Sequence, residues 1–362
     1  MRSDRVFSDK YYAAIERRAH TDPHQPPADF DPLSASAKQL AEYGMPARPS
    51  PSADPQLFLF WAKMLSPPFR YLTPQFPKRP TQDATVLMDV WVGPGQRVAR
   101  PSSQFSGYGH RESSHNWSGA YITPQRPKRF VSMVGSWVVP SPAIPNVIPE
   151  NATRQSVFRS SAWIGFDGHR RLPQASLPQI GTNHEVSVAN GVTKIETGAW
   201  WQWWKRNPDP VSDPENAPVP ITNLAVSAGD EMMAWMSVIV PNDVRFHIKN
   251  QTTGDFCTFI VIAPGAIDPI GSTAEWILER PTDIGALHPD PMPHCDDVEF
   301  QYCLAQSAQS PTAPTTTQSL RANARLINMY ERFTNPRRVA FVLKTTKTGS
   351  TTTLVEYQEP RP

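Results

Sequence analysis

Cysteine is scarce in this chain. Cys257, Cys295 and Cys303 are the three in 362 residues, so at most one bridge can form and a disulfide framework is excluded. Charge is sparse too. Charged residues make up 19% and nearly cancel to a net +2, which excludes nucleic-acid binding driven by bulk electrostatics. No run approaches about 18 consecutive apolar residues, so no membrane insertion is expected. The start, MRSDRVFSDKYYAAIERRAH, lacks the apolar stretch of a secretory signal, and the compartment stays unknown. Familiar catalytic signatures are missing: there is no G-x-S-x-G, no H-E-x-x-H and no P-loop. GPGQRV at 93–98 fails the dinucleotide fingerprint, and no cysteine lies in a catalytic-cysteine signature. His288, His294, Cys295 and Cys303 have metal-ligand side chains, but their spacing matches no standard zinc pattern. Pro289, Pro291 and Pro293 make that region a stiff loop, and no metal or other cofactor is expected.

Proline and tryptophan are abundant, at 40 and 11 residues. Proline is excluded from helix interiors and central strands, so the elements should be short and the connections long. That pattern excludes a helical bundle. Residues 1–105 read as a proline-rich, partly helical extension, with helices predicted from Ser8 to about His20, from Ser34 to Tyr43, and from Asp54 to Met64. In the third, Leu57, Phe58, Trp61 and Leu65 recur at helical spacing. SPPFRYLTPQFPKRP and GPGQRVARPSS read as extended linker. From about residue 113 the period becomes two. Strands are predicted over Phe130–Val139, Ser160–Asp167, Met232–Val240, Val244–Asn250 and Asp255–Ile262, with more near 274–279, 297–303, 321–329, 338–346 and 351–358. QTTG before Asp255 makes a hairpin. Residues 307–319 read as a low-complexity surface loop. About a dozen strands with no convincing helix between them predict an all-β antiparallel sandwich over residues 106–362.

Six segments follow one another in a telling order: SSHNWSGAYI (113–122), FVSMVGSWVVP (130–140), SSAWIGFDG (160–168), PQIG (178–181), TGAWWQWW (197–204) and STAEWILERP (272–281). The series resembles the glutamic peptidases, the G1 or eqolisin family of acid endopeptidases, across roughly residues 105–362. The resemblance implies a concanavalin A-like sandwich of two large antiparallel sheets. It also implies a Gln/Glu pair, carried by PQIG and TAEWILE, which maps onto Gln179 and Glu275. Positions matching Trp163, Asp167, Trp200 and Gln202 line the family's cleft, and Trp204 joins them by alternation along its strand. The family precedent is secretion, and the implied partner is a polypeptide substrate bound by a monomer. The N-terminal region is similar to one found before the sandwich in bacterial-type members, where a prosegment, a lid or a packing extension are all open.

The chemistry suits these residue types. Metal-free peptide hydrolysis needs a base to activate water and a donor to hold the developing oxyanion. A carboxylate supplies the first, and a primary amide offers both donor and acceptor. Some residues depart from the family pattern. Gln202 replaces a typical Glu between the aromatics, Gly198 stands where Asp is common, and Asn183 and His184 replace an acidic and an aromatic residue. The pair itself is intact. Two other readings stand beside the peptidase: a non-catalytic carbohydrate- or peptide-binding module using the tryptophans, and a glycosidase using Glu275 with Asp167.

Overall fold

Alternation of apolar and polar residues at period two sets most of the architecture. The computed structural model describes residues 9–22, 24–78, 111–148, 156–168, 176–189, 191–205, 216–239, 243–264, 269–281, 289–334 and 337–358. Two large sheets are stacked as a sandwich. One runs in the order Asp255–Ile262, Asp243–Asn250, Glu231–Val238, Arg129–Val138, Val298–Ala308, Thr316–Ser319. The other runs Val192–Lys205, Ser176–Ala189, Phe158–Phe166, Ala274–Glu279, Trp117–Ile122, Arg325–Thr334, Arg337–Lys347, Thr353–Tyr357. All these pairs are antiparallel. The Val298–Ala308 strand serves both sheets, because Val298–Phe300 pair with Thr353–Val355 and later residues pair with Arg129–Val138.

The second sheet is buried on both faces, and the two faces differ. Ala162, Ile164 and Phe166, with Ala274, Trp276 and Leu278, turn inward to the shared core. Trp163, Ile277, Leu177, Trp200 and Trp204 form a separate cluster on the opposite face. Adjacent residues on one strand therefore enter different environments, as the pleat requires. Several predicted strands match closely, with Asp255–Ile262 and 274–279 found at the predicted bounds.

Two readings need correction. Residues 307–319 are not all loop: Thr316–Ser319 form a strand on Leu304–Ser307. Nor is all of SPPFRYLTPQFPKRP linker, since Arg70–Leu72 pair in parallel with Asp255–Cys257. GPGQRVARPSS and His288 lie outside the described residues. All three cysteines are buried free thiols.

The extension is built onto the first sheet. Helix Pro55–Leu65 starts at Asp54, whose side chain accepts from the Leu57 amide, with Pro55 in the first turn where its missing N–H costs nothing. Its i, i+3, i+4 face presents Leu57, Phe60, Trp61, Met64 and Leu65 to Val134, Met233, Trp235, Phe256 and Leu304 on the outer face of the sheet. Each such side chain contributes on the order of 1.5–3 kcal/mol. Helix Asp9–Arg18 sends Tyr11, Tyr12 and Ile15 into the central core, and Ala19–Thr21 pair with Phe259–Val261.

Candidate active site

Register decides which side chains meet. Glu275 pairs with Gly165, Gly165 with Gln179, and Gln179 with Gln202. The four form one row across four neighbouring strands, and all point away from the central core. Gln179 and Glu275 thus stand two strand spacings apart, roughly 9–10 Å between backbones. The residue between them has no side chain. A Cβ on Gly165 would come within 3.0 Å of the Gln179 Cβ and of the Pro178 carbonyl oxygen. The glycine keeps the space between amide and carboxylate clear.

Gln179 lies mid-strand even though a proline precedes it. The ladder to Phe158–Phe166 begins at the Gln179–Gly165 pair, one residue after Pro178, so the missing N–H falls where that ladder has not started. Gln179 Nε2 donates to Gln202 Oε1, and Gln202 Nε2 donates to the Asn216 carbonyl. Gln179 Oε1 is buried with no hydrogen-bond partner among the described residues. Gln179, Gln202, Trp200, Ser161 and Glu279 line a small hollow.

Glu275 is buried, and its Oε1 accepts from Thr273 Oγ1 at 2.9 Å. Its Oε2 lies against Gly168, where a Cβ would approach within 2.5 Å. Asp167, just before that glycine, is fully buried and adopts a left-handed φ of 67°. Its carboxylate accepts from the Gly271 amide at 2.8 Å, the Ser272 amide at 2.6 Å and the Ser272 hydroxyl at 2.7 Å. Burial pushes its pKa up and these donors pull it down. The sequence puts Asp167 on the cleft wall. In the structure its oxygens hold the loop that leads into the Glu275 strand, because that loop supplies three donors to a group that would otherwise be desolvated without partners.

The tryptophans are held by their indole nitrogens. Trp163 Nε1 donates to Glu279 Oε2 at 2.9 Å, and Trp200 Nε1 to Ser161 Oγ at 3.1 Å. Trp204 is buried in the same cluster. Glu279, which shares the outward face with Glu275, also accepts from Asn116 Nδ2 at 3.2 Å. Burial raises its pKa to about 8 against the pull of these donors. The sequence carries Glu279 only as the last residue of TAEWILE. Thr273 stands in the sequence only as the first residue of TAEWILE, and Asn216 gave no sequence signal, since its role depends on loop placement. His184, one of the departures, faces the other way. Its Nδ1 meets Ser160 Oγ at 3.1 Å and its Nε2 meets Thr182 Oγ1 at 2.9 Å, inside the sandwich. Burial lowers its pKa to about 3, so it is a neutral core residue. No metal-binding cluster occurs among the described residues.

A two-sheet sandwich that a peptidase family model matches over most of its length defines a class: a hydrolase of the glutamic endopeptidase type. The model described as the peptidase A4 family matches residues 115–357, more than half of the chain, and the chain belongs to that family. No curated protein sequence matches it. Similar solved structures include scytalido-glutamic peptidase with a transition state analog inhibitor, at 18% identity over 67% of this chain and 98% of that one, with a TM-score of 0.48. SCP-B, a member of the eqolisin family in complex with the tripeptide Ala-Ile-His, is 18% identical over 67% and 98%, with a TM-score of 0.46. Aspergilloglutamic peptidase from Aspergillus niger is 17% identical over 56% and 99%, with a TM-score of 0.42.

Proposed function

We propose that the chain is an acid-type endopeptidase in which water attacks the peptide carbonyl directly. Ionised Glu275 takes a proton from that water, and the oxygen adds to the carbonyl carbon. The Gln179 amide orients the water through Oε1 and donates from Nε2 to the oxyanion of the tetrahedral intermediate. Protonated Glu275 then passes its proton to the leaving amine as the C–N bond breaks, and no acyl-enzyme forms. The substrate is a polypeptide, with Trp163, Asp167, Trp200, Gln202 and Trp204 proposed as the wall beside it. The observation that carries this reading is the single row in which Glu275 and Gln179 flank Gly165 on one face.

The test is casein digestion from about pH 2 to pH 7 by wild type, Glu275→Gln and Gln179→Ala. Loss of a base typically costs on the order of 10²–10⁴-fold, and loss of an oxyanion donor on the order of 10²–10³-fold. Full activity in both variants would remove the assignment.

A further inference from the structure

We propose that Gln202 is a positioning residue: anchored by the Asn216 carbonyl, it fixes which end of the Gln179 amide faces the hollow. The inference rests on the reading of Gln179 as the water-orienting amide.

The two ends of a glutamine amide are nearly identical in shape, so its direction must come from its partners. Here the partners leave one solution. A backbone carbonyl oxygen can only accept, so the Gln202 group touching Asn216 O has to be its NH2. The other end of Gln202 is then an oxygen, which can only accept. The Gln179 group against it has to be Nε2. Gln179 Oε1 is thereby turned away from Gln202. It is the atom left buried without a partner among the described residues, on a side chain that lines the hollow.

The anchor is well fixed. Asn216 Oδ1 accepts from the Lys205 amide at 2.9 Å, and its Nδ2 donates to the Lys205 carbonyl at 2.9 Å. Lys205 ends the strand that carries Gln202 three residues earlier. Gln202 and its anchor are thus tied to one strand, and that strand pairs with the Gln179 strand along its full length. A flipped Gln179 would set two acceptor oxygens against each other in a buried site, at Gln202 or, if Gln202 turned with it, at the Asn216 carbonyl.

Packing and orientation predict opposite rankings for two substitutions. Gln202→Met keeps length and apolar contact and removes the acceptor. Gln202→Glu keeps an acceptor toward Gln179, and in its protonated form its O–H replaces the amide as donor to the Asn216 carbonyl. If Gln202 orients Gln179, Gln202→Met loses roughly ten- to a hundredfold in kcat with KM little changed, and Gln202→Glu at acid pH, where its carboxyl is protonated, loses at least several-fold less than Gln202→Met. If Gln202 only fills space, Gln202→Met is wild-type-like and Gln202→Glu is the damaged variant; that order overturns the proposal. Thermal melting identifies a variant that fails to fold. In that event hydrogen exchange of the Gln179 side-chain amide in wild type decides, with one protected Nε2 proton expected and two freely exchanging protons refuting the relay. Glu275→Gln run alongside separates the two readings. An inactive Glu275→Gln with active Gln202→Met sinks the relay alone, and an active Glu275→Gln sinks the underlying mechanism.

Discussion

Asp167 holds Ser272 twice, accepting from its amide at 2.6 Å and its hydroxyl at 2.7 Å on the same carboxylate oxygen. The other oxygen takes the Gly271 amide. One residue further on, Thr273 donates to Glu275. The carboxylate at the end of one strand therefore sets the entry of the next, which carries the proposed base. Asp167→Asn tests this cleanly. Asparagine tolerates a left-handed φ as well as aspartate does, so the backbone demand is unchanged. Its NH2 would face a donor, either at Gly271 or at Ser272. The expected result is a loss of roughly 1–3 kcal/mol in stability and about tenfold or more in kcat from a misplaced Glu275. Unchanged kcat in a folded Asp167→Asn would separate the clamp from catalysis.

Two buried groups pull stability in opposite directions with pH. His184 has a folded pKa lowered to about 3 from its ordinary 6.5. Above 6.5 it makes no difference. Below it the unfolded chain binds a proton that the folded chain refuses, so stability falls as pH drops toward 3, by up to about 1.4 kcal/mol per pH unit. Glu279 has a folded pKa raised to about 8 from 4.5. Its sign is reversed: its contribution is full below 4.5 and is lost as pH rises through 8. His184→Gln keeps hydrogen-bonding capacity toward Ser160 and Thr182 without titrating. The melting temperature of this variant should fall less between neutral and mildly acid pH than that of wild type. Part of the fall remains, because His247 is also buried with a lowered pKa. Parallel melting curves for the two proteins across that range would contradict the argument.

The fold was largely legible because the sandwich strands alternate cleanly and the third helix carries an N-cap, a first-turn proline and a spaced apolar stripe. The site was legible in part. Register across three strands aligns Gln179 and Glu275 in one row, and no single-strand pattern encodes that pairing. From its neighbours alone Gln179 looks like an exposed residue after a proline; only the family resemblance singled it out. Asp167 reads as a turn residue or cleft residue until the loop at 271–272 is seen folding onto it. Asn216 is invisible in sequence because its role is a backbone carbonyl, which every residue has.

The extension has the character of core rather than cover. Trp61 is buried, donates to the Pro46 carbonyl at 2.9 Å and stacks on Phe58. Together with Phe60 and Met64 it shields Trp235, Met233 and Phe256 on the face of the first sheet. The site residues project from the second sheet, away from the core that the two sheets share. Trp61→Ala should cost about 3–5 kcal/mol. A chain lacking residues 1–78 should be insoluble, since it exposes that apolar face and unpairs the edge at Asp255–Ile262. Mass spectrometry of purified active protein, before and after acidification, should find residues 9–78 retained. A soluble, active truncated chain would show that the extension is dispensable.

Gly165 offers the sharpest test of the row itself. It lies between Glu275 and Gln179 in register, on the face where both side chains rise. In Gly165→Ala the added Cβ would meet Leu177 Cδ1 at 2.9 Å, Gln179 Cβ at 3.0 Å and the Pro178 carbonyl oxygen at 3.0 Å. The leucine methyl can yield by rotation. The Gln179 Cβ and the Pro178 carbonyl are fixed by the ladder to Val192–Lys205, so the strands must spread by a few tenths of an ångström. The methyl also occupies the gap in which a water would sit between amide and carboxylate. Stability should fall by about 1–3 kcal/mol from overpacking. The loss in kcat should be larger than this strain alone produces, on the order of a hundredfold, because a displacement near 1 Å at the reacting atoms is enough for that. Gly165→Ala with a lowered melting temperature but wild-type kcat would mean that the space between Gln179 and Glu275 is not where the chemistry happens.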